Sequence, residues 1–155
     1  MDHAKQKGLV EKDEAWLAGL YLDNARLIAV ANRLMDLAPA ALAARIVMGR
    51  RVVAHLSDAG TGQDNEHFLN LKINTVFNCG HSSLWWFHHL RTTGRTLAEV
   101  TWADPRQVID MGGGVPLYSN HQIAGAIAVS GLAHDADHAL IMSAVRSVVE
   151  EALPT

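Results

Sequence analysis

The sequence predicts an α+β domain in which an antiparallel sheet is flanked by helices, and three observations carry that expectation. Apolar residues recur at helical spacing near both ends of the chain. Two pairs of short β-type runs are each joined by a tight turn. Strands joined in that way pair antiparallel, without the crossover that a parallel pair requires. At 155 residues the chain accommodates one hydrophobic core, so residues 1–155 are expected to form a single domain.

Taken in order, the apolar positions Trp16, Leu20, Leu27, Ala31 and Leu34 predict one long amphipathic helix from Lys12 to Ala38, with Pro39 just past its end. Residues 43–48 and 52–56 read as two strands joined at Gly49-Arg50. After a loop over 58–63, Asp64 is expected to cap a helix whose apolar positions are Phe68, Leu69, Ile73, Val76 and Phe77. Gly80 interrupts it, and Ser82 or Ser83 starts another helix that ends near Gly94. A helical turn and irregular chain follow to Asp110. Gly112–Gly114 lead into a strand over 115–118, Asn120-His121 make a turn, and Ile123–Val129 form a buried strand. The segment from His134 to Ala152, capped by Asp135 or Asp137, closes the chain as a helix.

Composition narrows the chemistry. Hydrophobic residues make up 49% and charged residues 19%, enough apolar surface to exclude intrinsic disorder. A formal charge of −3 with no basic run beyond Arg50-Arg51 excludes a polyanion-binding face, so nucleic acid is not an expected partner. No stretch is long and apolar enough to span a membrane, and the charged opening is no secretory signal, which makes the cytoplasm the expected compartment. The lone Cys79 excludes an internal disulfide and a thiolate zinc cluster. Gly112–Gly114 lack the spacing of a dinucleotide fingerprint, and no serine sits in a nucleophile-elbow context.

Four segments in a fixed order carry a family resemblance: His55 with the loop into Asp64-Asn65; Lys72; Gly80-His81-Ser82-Ser83; and Gly112–Pro116 with Val129–Leu132 and Asp137-His138. Together they resemble an uncharacterised protein family within the haem-degrading-domain (HbpS/GlcG-like) superfamily, over residues 13–148. The resemblance implies a profilin-like fold and self-association into dimers or larger homo-oligomers. It also implies a small-molecule ligand, since members of the wider superfamily bind haem or a corrinoid. Three places depart from the family pattern: Ala54 stands for an aromatic, Leu71 for an arginine and Phe68 for a tryptophan. Trp85-Trp86 and His88-His89 lie outside the pattern.

The residues themselves suggest several chemistries. Asp64 and Lys72, two helical turns apart, are expected on about the same side of their helix. There a buried lysine would serve as base or as carboxylate anchor, or else merely snorkel over apolar surface while Asp64 caps the helix. His81, Ser82 and Ser83 at a helix start offer free N–H groups to a ligand carboxylate, or form an ordinary glycine-capped junction. His55 on its strand is a candidate iron ligand or proton carrier, and Gly113 a point of close backbone approach. The candidate catalytic set is thus Lys72, His81 and Asp64. The candidate cofactor set is His55, His81, Ser82, Ser83 and Gly113, with His55 the metal ligand. Three functions remain open: binding of haem, a corrinoid or another planar carboxylate; cofactor-independent acid–base catalysis by a lyase, isomerase or hydrolase; and an adaptor role in an oligomer.

Overall fold

A computed structural model describes residues 1–151; Ala152 and the last residues of the expected domain lie outside the described residues. The elements are α1 (His3–Ala18), α2 (Asn24–Leu37), β1 (Ala43–Met48), β2 (Arg51–Ser57), α3 (Gln63–Cys79), α4 (Ser83–Thr93), a 3-10 turn (Leu97–Glu99), β3 (Gly114–Ser119), β4 (Gln122–Ser130) and α5 (His134–Glu151). The four strands form one antiparallel sheet in the order β2-β1-β4-β3. The two hairpins expected from the turns are present, and their inner strands β1 and β4 pair across the centre.

Strand alternation divides the core between two faces. Ala44, Ile46, Ile127, Val129, Val115 and Leu117 join the main core with α2 and α5. On the opposite face Ala43, Val47, Ala126 and Ala128 meet Leu69, Ile73 and Val76 of α3. Alanines at this second face leave room for α3 to lie close on the sheet. α1 packs against α4 and the edge strand β3, with Leu17 reaching the main core.

The single long helix expected over 12–38 is two helices. Gly19 ends α1, and the Asp23 carboxylate caps α2 by accepting the Arg26 N–H at 2.9 Å. The break lets α1 turn toward α4 while α2 stays under the sheet, so a glycine and a cap outweigh continuous apolar spacing. Asp64 is not the cap of α3 either. Gly62 occupies that position, its N–H donating to Asn65 Oδ1 at 3.0 Å, while Asp64 is exposed in the first turn, where its charge suits the helix dipole. At the start of α5, Asp135 and Asp137 lie inside the helix, and Asp137 reaches back to accept the Leu132 N–H at 3.0 Å.

Because Ala128 is fully buried beneath Leu69, its small size sets the separation of α3 from the sheet. Replacing Ala128 with Leu is expected to lower stability by about 1–3 kcal/mol or more through overpacking. Urea unfolding monitored by tryptophan fluorescence measures it, and an unchanged midpoint would contradict this packing.

Candidate functional site

Lys72 lies in the third turn of α3 and is only 3% exposed. Its ammonium donates to the Val129 carbonyl at 2.8 Å and to Asp137 Oδ2 at 3.1 Å, so one lysine ties α3 to β4 and α5. Burial pulls the lysine below its ordinary range despite Asp137, and burial raises the Asp137 carboxyl despite Lys72. The glycine triplet wraps this pair. Gly113 has φ +117°, and a Cβ there would stand 2.7 Å from Lys72 Nζ and 3.0 Å from Asp137 Cβ. Its carbonyl accepts the Val129 N–H at 2.9 Å, and on either side Gly112 N–H donates to His134 Nδ1 at 2.9 Å and Gly114 N–H to Ser83 Oγ at 2.9 Å. The close approach expected at Gly113 is therefore to the chain's own lysine.

Beside the ion pair is a chamber of about 210 Å³, lined by Asn65, Phe68, Lys72, Met111, Ser130 and His134, among others. Asn65 Nδ2 donates to Ser130 Oγ at 3.0 Å. Asp64 is exposed and takes no part in it. The expected partnership of Lys72 with Asp64 is thus replaced by Lys72 with Asp137, a pairing 65 residues apart that spacing along one helix cannot reveal.

On the other flank of α3 lies a larger groove of about 730 Å³, floored by Val47 and Ile73 and walled by Val52 and Phe77. Val52 is 53% exposed and Phe77 42%, so two large apolar side chains are left facing one cleft. Phe77, one of the apolar positions that predict α3, belongs to this wall. Arg45 and Arg50 stand at the polar margin with Asn70, Asn74 and Asn78, which repeat every fourth residue along α3. Arg45 is held by Asn70, by Glu66 Oε2 at 3.0 Å and, through Nε, by His55 Nδ1 at 3.1 Å. The second nitrogen of His55 lies 3.1 Å from Glu66 Oε1, so both ring nitrogens already have protein partners. This groove was not expected from the sequence; the asparagine row alternating with Ile73 and Phe77 is the pattern that could have pointed to it.

His81 is placed differently. Its Nδ1 is 2.7 Å from Glu14 Oε1, and the second oxygen of this buried carboxylate accepts the Ser82 N–H at 2.6 Å. The helix start expected to hold a ligand carboxylate thus holds Glu14 of α1. Ser83 spends its hydroxyl on Gly114, whereas Ser82 Oγ is buried without a partner among the described residues. Glu14 thus engages Nδ1 of His81, and Nε2 has no hydrogen-bond partner among the described residues. Trp85 stacks between His81 and His89, with ring centroids 3.6 and 4.5 Å apart. Trp86 is the buried member of the tryptophan pair, packed with Leu90 and Val100. Asp137 and His138 face different partners, Lys72 and Asp13, as the helical step between adjacent residues requires.

A three-layered α+β domain with clefts on both flanks of one sheet-covering helix defines a small-molecule-binding architecture. The chain belongs to the family described as "Haem degrading protein HbpS-like", which it matches over residues 22–146. It is 32% identical to a UPF0303 protein of Paraburkholderia phytofirmans over 136 residues, covering 87% of this chain and 77% of that one. Identity to a UPF0303 protein of Paraburkholderia xenovorans is 31% over 145 residues, covering 93% and 82%. Among solved structures the fold is similar to the Ybr137w protein, with TM-score 0.81 at 17% identity over 95% of this chain and 90% of that one. The PduOC:heme complex superposes with TM-score 0.67 at 16% identity, covering 83% and 95%. These likenesses bear out the expected superfamily and α+β fold, and they place the chain in a haem-related family; a corrinoid finds no support among them. None of the described helices is long and apolar enough to cross a membrane.

Removing one partner of the buried pair isolates the other. Lys72→Met is expected to cost about 3–5 kcal/mol, and Lys72→Met with Asp137→Leu to recover most of it. Urea titrations of both variants test this, and a double variant no more stable than the single one would contradict it. A second expectation concerns pH. Burial, followed by repulsion from His3 and His134, pushes the His88 imidazole down from 6.5 to about 4. The unfolded chain therefore takes up this proton first as pH falls, so stability is complete above about 6.5 and declines from there toward about 4. His88→Gln should make that decline shallower, and an unaltered slope across this window would remove His88 as its source.

Proposed function

We propose that this protein binds a planar, carboxylate-bearing ligand of the haem type in the groove between β1, β2 and α3. The supporting observation is the groove itself, where about 730 Å³ of space is bounded by exposed Val52 and Phe77 and edged by Arg45 and Arg50. That volume lies within the roughly 300–1,000 Å³ of ordinary ligand sites. An apolar face suits a macrocycle, and an arginine at the margin suits its carboxylates. Membership of a haem-related family and a fold shared with the PduOC:heme complex favour the same ligand class. Arg45 is already committed to Glu66, Asn70 and His55, whereas Arg50 makes no ion pair among the described residues and is the free cation of the margin.

A second placement is favoured by Glu14 and His81. A histidine whose Nδ1 is engaged by a carboxylate, with Nε2 left to a ligand, is the arrangement commonly found behind metal-ligating imidazoles. In that case His81 would hold the iron from outside the groove, with Trp85 stabilising the ring by stacking.

Haemin titration of the purified protein, followed by the Soret band, distinguishes these placements. Binding in the groove predicts saturation at one haemin per chain, weakened about tenfold or more by Arg50→Glu, which turns an attraction into a repulsion. It predicts retained affinity in His55→Ala and His81→Ala. Loss of the Soret shift in His81→Ala with Arg50→Glu unaffected would move the ligand to His81. A weak, unsaturable rise that is equal in all variants would end the haem reading.

A further inference from the structure

We propose that the chamber beside Lys72 is a second, separate binding site that takes the carboxylate of a small organic acid. The case rests on which hydrogen-bonding groups around the chamber are spent and which are not.

Each acceptor atom on the lining polar side chains already receives a hydrogen bond. Asp137 Oδ2 receives Lys72 and Oδ1 receives the Leu132 N–H; Asn65 Oδ1 receives the Gly62 N–H. Ser130 Oγ receives Asn65 Nδ2, and His134 Nδ1 receives the Gly112 N–H. Four donor hydrogens remain, one of them the second hydrogen of Asn65 Nδ2, which spends only the first on Ser130. An ammonium has three hydrogens, of which Lys72 spends two. The Ser130 hydroxyl hydrogen has no acceptor among the described residues. Burial, the largest influence on His134, holds its ring toward the neutral form, and with Nδ1 acting as acceptor the remaining proton must sit on Nε2.

A chamber with four unspent donor hydrogens, in which every side-chain acceptor atom already receives a hydrogen bond, favours a ligand rich in acceptors and poor in donors. A carboxylate, with two oxygens and about four acceptor positions, matches that inventory. The buried ion pair lets the site hold an anion without a net charge of its own in the empty state, because Lys72 and Asp137 cancel while the third lysine hydrogen remains directional. Size sets the rest. At about 210 Å³ the chamber is below the range of drug-sized pockets, so it admits an acid of a few carbons whose short chain rests against Phe68 and Met111. A tetrapyrrole does not fit there, which keeps this site distinct from the groove.

The test is an NMR titration of amide shifts in the full chain with sodium acetate and sodium pyruvate, with ionic strength held constant by sodium chloride. The expected result is a saturable shift confined to residues 112–114 and 130–137. Two substitutions at one position separate the donor from the fold. His134→Asn keeps an acceptor near the Nδ1 position for Gly112 and removes the Nε2 donor; His134→Gln restores a donor near Nε2. Affinity should fall about tenfold in His134→Asn and recover in His134→Gln. Ser130→Ala should weaken it by a similar factor, while Arg50→Glu leaves it unchanged. Absence of a localised saturable shift in the wild type, or equal affinity in all these variants, would overturn the proposal, as would the same shifts produced by chloride alone.

Discussion

The buried pair of Lys72 and Asp137 is the contact on which the rest of the site depends. An ammonium and a carboxylate withdrawn from water would each be strongly unfavourable alone, so the two must be brought together. That requirement reaches far along the chain. Lys72 is on α3 and Asp137 on α5, the Val129 carbonyl comes from β4, and the backbone of Gly113 closes the space above them. Four segments that are remote in sequence are thereby fixed relative to one another, and both clefts inherit their shape from the position this gives α3.

The glycine triplet follows from the same constraint. A side chain at Gly113 would meet the lysine nitrogen, one at Gly112 would stand 2.5 Å from the His134 carbonyl oxygen, and one at Gly114 would stand 2.9 Å from the Lys72 carbonyl oxygen. The segment is therefore a close-packed seam between α3, α5 and the sheet rather than a phosphate-binding loop. Its N–H groups are directed to His134 and Ser83, which positions the former at the chamber and the latter at the base of α4.

The sheet and its two hairpins were legible because turn residues and β-type runs are local signals. The flanking helices α3, α4 and α5 were legible for a similar reason, since their apolar spacing, and for α3 and α4 the glycines at their ends, are written within single segments. The break at Gly19 was not read, because the apolar pattern continues through it and only the capping geometry at Asp23 reveals that the chain turns. The site was legible only in part. Lys72, His81 and Gly113 could be singled out by type and by their place in the resemblance, but their partners Asp137, Glu14 and Val129 come from distant segments. Spacing along one helix suggested Asp64 for Lys72; the third dimension supplied Asp137.

The two flanks of α3 show how one helix separates two chemistries. Toward β2, the helix presents Ile73 and Phe77 between asparagines, and the sheet answers with Val47 and Val52, so that side is broad, apolar and edged by arginine. Toward α5, the same helix presents Asn65, Phe68 and Lys72, and the answering groups are Ser130 and His134, so that side is narrow and lined with hydrogen-bond donors. Area available for apolar contact governs binding on the first flank. On the second the number of unspent donors governs it, because each must find an acceptor when water is excluded. On the two proposals, ligand shape separates the flanks: a large flat molecule has no room beside Lys72, and a small acid has little apolar surface to offer the groove.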